Sequence, residues 1–122
     1  MSKPCPFCAE QQALARNEHA FMIYDRWPAT RGHTLIVTAR HVEDFFKTSR
    51  DERQAMLNLV DEAKVLLDEA YAPQGYNIGV NVGETAGQTV MHCHLHVIPR
   101  YRGDVPNPRG GIRAVIPGKQ SY

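Results

Sequence analysis

From His92 to Ile98 the chain reads His-Cys-His-Leu-His-Val-Ile, three imidazoles alternating with apolar residues. Successive side chains of an extended strand point to opposite faces, so the pattern predicts a strand within residues 88–99. His92, His94 and His96 then share one face, while Cys93, Leu95 and Val97 point into a core. A chain holding such a segment must build a sheet that is covered on one side and carries three imidazoles on the other. A solvent-facing polar edge would also alternate, but it does not account for histidines gathered directly after Gly87-Gln88-Thr89.

The flanking sequence supplies the rest of that sheet. Residues 20–24 (Ala-Phe-Met-Ile-Tyr) and 34–38 (Thr-Leu-Ile-Val-Thr) are short runs of branched and aromatic residues, parted by a turn-prone stretch with Pro28 and Gly32. They read as hairpin-linked strands. Ser49 with Glu52 three residues later forms a capping box, and Met56, Leu59, Val60, Ala63, Leu66, Leu67 and Ala70 follow at helical spacing. One long amphipathic helix is expected to about Tyr71, stopped by Pro73 and Gly75. In residues 76–82, Ile78, Val80 and Val82 fall on one face and Asn77, Gly79 and Asn81 on the other, which predicts a half-buried strand. A glycine-containing loop, 83–87, leads into the histidine strand. The expected fold is α+β, a mostly antiparallel sheet packed on one long helix. Nothing repeats internally.

With 122 residues, 43% of them hydrophobic, the chain supports one core, and residues 1–122 are expected to form a single domain. Fourteen Lys and Arg against thirteen Asp and Glu leave a net charge of +1, too little to draw a nucleic-acid polymer or an anionic membrane. A small ligand suits it better. Arg100, Arg102, Arg109, Arg113 and Lys119 face only Asp104 in the C-terminal segment, which reads either as a phosphate contact or as a solvated loop. No apolar run approaches the ~20 residues of a membrane span, and the polar start lacks the apolar core of a signal peptide, so a cytoplasmic protein is expected. Cys5-Pro-Phe-Cys8 is then a metal or redox pair and no part of a disulfide framework.

Two chemistries suit the imidazoles. His-x-His on a strand can bring two rings to one zinc, and a third histidine would complete an open catalytic site. Alternatively the middle ring attacks phosphorus while its neighbours donate hydrogen bonds to phosphoryl oxygens. An imidazole of unperturbed pKa ~6.5 is mostly uncharged at neutral pH, so it needs no separate base, and it is not repelled by the phosphate as a carboxylate would be.

The run His92-Cys-His-Leu-His-Val-Ile98 resembles the histidine-triad family. Gln88 and Thr89 upstream, the Gly32-His33 pair and Asp25 eight residues before it also fall where that family keeps its motifs. The resemblance implies a five-stranded sheet on one long and one short helix. The continuation to Gly103-Asp104 is similar to the branch that hydrolyses dinucleoside polyphosphates. By resemblance His94 would form a covalent nucleotidyl intermediate. His96 and Thr89 would hold the α-phosphate and leaving oxygen, supported by Gln88, and His33 would lie beside the nucleophile unless it is merely structural. Asp25 would accept the ribose hydroxyls, or else only initiate the turn before Pro28. Ile23 and Leu35 would wall the purine pocket, and equally suit plain core. Asn81 would reach the leaving phosphate.

Small bacterial members and the galactose-1-phosphate uridylyltransferases pair an N-terminal CxxC with a mid-chain histidine and the first triad histidine. That implies a structural zinc on Cys5, Cys8, His41 and His92, in preference to a thioredoxin-like redox pair, which should follow a strand of a βαβ unit. His19 has no motif around it. The function implied is a hydrolase or transferase of adenosine 5'-phospho conjugates such as diadenosine polyphosphates, working as a homodimer. Its rivals are a zinc-dependent hydrolase using the histidine strand as ligands, and a nucleotide-binding module without turnover.

Overall fold

The computed structural model describes residues 4–9 and 11–122. Five strands form one antiparallel sheet: β1 (Ala15–Arg16), β2 (Ala20–Tyr24), β3 (Thr34–Thr38), β4 (Gly75–Gly79) and β5 (His94–Arg100), in the order β1-β2-β3-β5-β4. The fold is α+β as expected. A single α-helix, α1 (Arg50–Tyr71), covers one face. No second α-helix occurs among the described residues; the short helical pieces are 3-10 turns at Phe45–Lys47, Glu84–Ala86 and Gly111–Val115.

The helix begins and ends where its chemistry dictates. Ser49 accepts the Glu52 N–H at 3.1 Å while Glu52 accepts the Ser49 N–H at 2.9 Å, closing the capping box. The other end turns at Ala72 into the left-handed region (φ 50°), with its N–H bonded to the Asp68 carbonyl, and Pro73 forbids continuation. Ala55, Met56, Leu59, Ala63 and Leu67 form the buried stripe and meet Ala20, Met22, Ile36, Leu95 and Val97 from the sheet. Each large side chain so buried contributes roughly 1.5–3 kcal/mol before conformational entropy is charged against it. The apolar face of the helix is thus used inside its own chain.

Strand periodicity sends the intervening residues to the opposite face. Cross-strand register aligns Ile23 with Leu35 and Leu35 with His96 in one row, and Phe21 with Val37 and Val37 with His94 in the next. Apolar and imidazole side chains therefore lie side by side on the face away from α1.

Two strand expectations are corrected. The histidine strand starts at His94, because residues 90–92 bend, so His92 lies outside β5. The Cys93 N–H bonds to the Val42 carbonyl at 2.7 Å, which tucks His92 against the segment after β3 and leaves it 0% exposed. The strand expected over 76–82 spans Gly75–Gly79, and Ile78 is 46% exposed because β4 is an edge strand. The two-residue β1 escapes any periodicity test; Asn17 makes its hairpin with β2 by accepting the Ala20 N–H on its side chain.

Gly32 sits at the turn into β3 with φ 84°, where a Cβ would lie 2.9 Å from the Tyr71 ring and 3.2 Å from Leu67. Only glycine lets the last turn of α1 approach the backbone that carries His33. Among the described residues no helix is long and apolar enough to cross a membrane.

Candidate functional site

A cleft of about 890 Å³ opens on the sheet face opposite α1. Ile23, Leu35, His94, His96, Asn81 and Thr89 line it. Phe7 and Trp27 complete its walls. This volume suits a small organic ligand, and the mix of aliphatic walls with a few convergent polar groups is the ordinary composition of such sites.

The hydrogen bonds assign a proton to each ring. The His92 carbonyl lies 2.8 Å from His94 Nδ1 and can only accept, so Nδ1 carries the proton and Nε2 of a neutral His94 is bare. His33 accepts the Ala29 N–H at Nδ1 (2.9 Å), so its proton sits on Nε2, which donates to His96 Nδ1 at 2.9 Å. A neutral His96 accordingly carries its proton on Nε2. The Asp25 carboxylate approaches the same His33 Nε2 at 3.4 Å and His96 Nδ1 at 4.0 Å. Burial is the main cause that pushes His96 down to about 4, aided by the neighbouring His94 and His33 and opposed by Asp25. Burial likewise lowers His33 against the pull of Asp25. At neutral pH the pair is an uncharged relay ending in one N–H donor on His96, whose ring centroid lies 5.3 Å from that of His94.

Asp25, His33 and His96 are close enough for a shared cation. The Ala29 N–H opposes that use, since a His33 ring that accepts at Nδ1 has no lone pair left at Nε2.

A second cluster adjoins His94 through His92. Cys5 Sγ is 3.3 Å from His92 Nδ1, Cys8 Sγ is 3.6 Å from the same atom, and Cys8 Sγ is 3.0 Å from His41 Nδ1. His92 Nε2–H donates to the Thr38 carbonyl at 2.8 Å, which turns a bare Nδ1 toward the thiols. A tetrahedral zinc with bonds of about 2.3 Å to sulfur and 2.0 Å to nitrogen separates its ligand atoms by about 3.5 Å, so this soft S2N2 set fits that ion. Burial, opposed by the Thr38 bond, lowers His92 and keeps the ring neutral, as a ligand requires. Arg40, next to His41, grips the buried Glu52 through Nε at 3.1 Å and Nη2 at 2.8 Å.

The expected site residues divide accordingly. His94, His96, Thr89, Asn81, Ile23, Leu35 and Asp25 all line the cleft. His33 is 5% exposed and touches His96. Gln88 is buried as a clasp of its own loop, accepting the Gly83 N–H and donating to the Glu43 and Val90 carbonyls. Asp25 Oδ1 accepts the Trp27 N–H at 2.8 Å, the turn bond, while its other oxygen faces the relay.

The basic C-terminal residues do not line the cleft: Arg100 pairs with Asp104, while Arg109 and Arg113 lie against Tyr122. Sequence reasoning missed Phe7, whose ring meets that of His94 edge-on at 5.0 Å, and Trp27, 80% exposed at the rim. The position of Phe7 between Cys5 and Cys8 was the available signal.

Comparison with known proteins accords with this architecture. The HIT domain family matches residues 8–103, and the chain belongs to that family. An uncharacterized HIT-like protein of Mycoplasma genitalium is 37% identical over 103 residues, covering 80% of this chain and 73% of that protein. A zinc-bound histidine triad family protein from Mycobacterium smegmatis superposes with a TM-score of 0.76 at 34% identity, over 84% of this chain and 79% of that one. The AP-4-A phosphorylase of Mycobacterium tuberculosis is 28% identical over 96 residues, which are 78% of this chain and 49% of the phosphorylase.

Proposed function

We propose that this protein is a nucleotide hydrolase or transferase that cleaves adenosine 5'-phospho conjugates, such as dinucleoside polyphosphates, through a covalent nucleotidyl group on His94. The observation that carries this reading is the proton assignment: the His92 carbonyl holds the His94 proton on Nδ1, leaving Nε2 bare in the cleft. Nε2 attacks the α-phosphorus, forming a P–N bond as the bond to the leaving oxygen breaks. His96 Nε2–H, with Thr89, donates to oxygens on which charge grows. Water then attacks the same phosphorus, releasing the nucleoside monophosphate and regenerating the neutral ring. Ile23 and Leu35 take the base, free lone pairs of Asp25 accept ribose hydroxyls, and Asn81 meets the leaving phosphate. The likeness to an AP-4-A phosphorylase supports a dinucleotide substrate.

Cys5, Cys8, His41 and His92 would hold a structural zinc ion; the four donor atoms and the zinc-bound M. smegmatis relative support this. A bound zinc would tie the N-terminal segment to the start of β5. We assign the working form to a cytoplasmic homodimer. The unpaired edge of β4, with exposed Ile78, supports a second copy there, and sedimentation tests it.

The decisive experiment mixes α-phosphate-labelled dinucleotide with enzyme and quenches in denaturant. An acid-labile, base-stable label in wild type that disappears in His94→Asn is expected; labelled nucleotide product without any protein-bound label would overturn the mechanism.

A further inference from the structure

We infer that the Cys-His knuckle is a positioning element of the nucleotide cleft, acting through Phe7, so that metal occupancy and nucleotide binding are coupled. This rests on reading the cleft as the nucleotide site. Phe7 lies between Cys5 and Cys8, and its ring sits 5.8 Å from that of His92 and 5.0 Å from that of His94. It therefore touches one ligand of the knuckle and the nucleophile at once, while lining the cleft.

The backbone around Phe7 is held by few hydrogen bonds. Residues 4–9 contain no helix or strand. Among the described residues their polar ties are one backbone bond from Cys8 to Cys5 at 3.3 Å, two side-chain bonds from Gln11, and the sulfur contacts to His41 and His92, while the Phe7 ring itself packs against the cluster of Phe21, Ile23, Leu35 and Val37. A cation shared by two thiolates and two imidazoles replaces those weak contacts with four strong ones and fixes the residue they bracket. His92 provides a second route, because its ring belongs to the knuckle while its carbonyl accepts a hydrogen bond from His94 Nδ1–H. Without the ion, the chain spends part of its time with Phe7 away from His94, and nucleotide affinity falls by the fraction of time that the wall is missing.

Coupling is reciprocal: whatever factor zinc contributes to nucleotide affinity, the nucleotide returns to zinc affinity. A merely structural ion would not show this. The test uses full-length chain, zinc-loaded or chelator-stripped, as wild type, Phe7→Ala and Phe7→Leu, with AMP as the probe in titration calorimetry. Stripping is expected to weaken AMP binding to wild type about tenfold, within the usual range for coupled sites. Saturating AMP should raise zinc affinity by the same factor.

Loaded Phe7→Ala should keep its full zinc content and bind AMP more weakly, with under about twofold further loss on stripping; Phe7→Leu should fall between. Equal AMP affinity of loaded and stripped wild type overturns the proposal, as does an equal loss on stripping in Phe7→Ala. Should loaded wild type fail to bind AMP, the assigned function is wrong. The His94 ring nitrogen signals then decide the coupling alone: a single Nδ1–H form in loaded protein that averages on stripping supports it, and unchanged signals overturn it.

Discussion

His33 Nε2 and His96 Nδ1 lie 2.9 Å apart, and that contact decides what His96 can offer a substrate. Because Nδ1 is occupied as an acceptor, the only proton of the neutral ring sits on Nε2. Replacing His33 with Ala removes the donor and strands the Ala29 N–H, 2.9 Å away in the wild type. A loss of about 1–3 kcal/mol in urea unfolding is expected for the orphaned groups. A fall in kcat of about 10²-fold is expected for a misoriented donor. Unchanged kcat would assign His33 to the fold alone.

His94 is half-buried and is not part of either apolar core cluster, so His94→Asn should fold normally. Turnover of an AMP conjugate should fall at least about 10⁴-fold, as for loss of a nucleophile elsewhere. Thermal denaturation and steady-state assays on the same sample separate the two effects.

Acid should destabilise the protein in two stages. His96 is held down to about 4 in the fold, chiefly by burial, against about 6.5 in the unfolded chain. The unfolded state therefore binds the proton first, and stability falls as pH drops from about 6.5 toward 4. With His96 partly open to the cleft, this limb is worth about 2 kcal/mol. His33 and His92, also lowered by burial, steepen it. Glu52 is held at about 2, chiefly by Arg40, so its contribution is present above about 4.5 and is lost as pH falls toward 2. Glu52→Gln should erase the lower limb of a stability-against-pH curve and leave the upper one; a curve unchanged below pH 4.5 would refute that assignment.

The sequence displayed the sheet face and the helix plainly because both rest on periodicity. Val37, His94 and Leu35, His96 obey period two, and Met56, Leu59, Ala63 and Leu67 obey 3.6. What it concealed depends on contacts between distant segments. His92 continues the alternation in letters, yet the Cys93 bond to Val42 pulls it out of the strand and into the knuckle. Gln88 stands among the motif residues, but its amide is spent on three backbone groups of nearby loops. Phe7 looks like filler within a CxxC until the fold sets it against His94.

Removing metal should act on the N-terminus before it acts on the sheet. Cys8→Ser keeps every core contact of α1 but removes a donor that lies 3.0 Å from His41. Native-state hydrogen exchange should show lost protection confined to residues near Cys8, His41 and His92, with β2 and β3 unaffected. Uniform loss of protection would mean that the knuckle is needed by the whole fold.

The close approach at Gly32 ties two distant parts of the chain to a single hinge of contact. Tyr71 terminates the helix and Gly32 immediately precedes His33, so fraying of that helical terminus transmits directly to the imidazole relay. Tyr71 also donates its hydroxyl to that of Tyr24 at the cleft, so a mutation there, or another molecule resting on it, acts on the turn before His33 and on the cleft wall together.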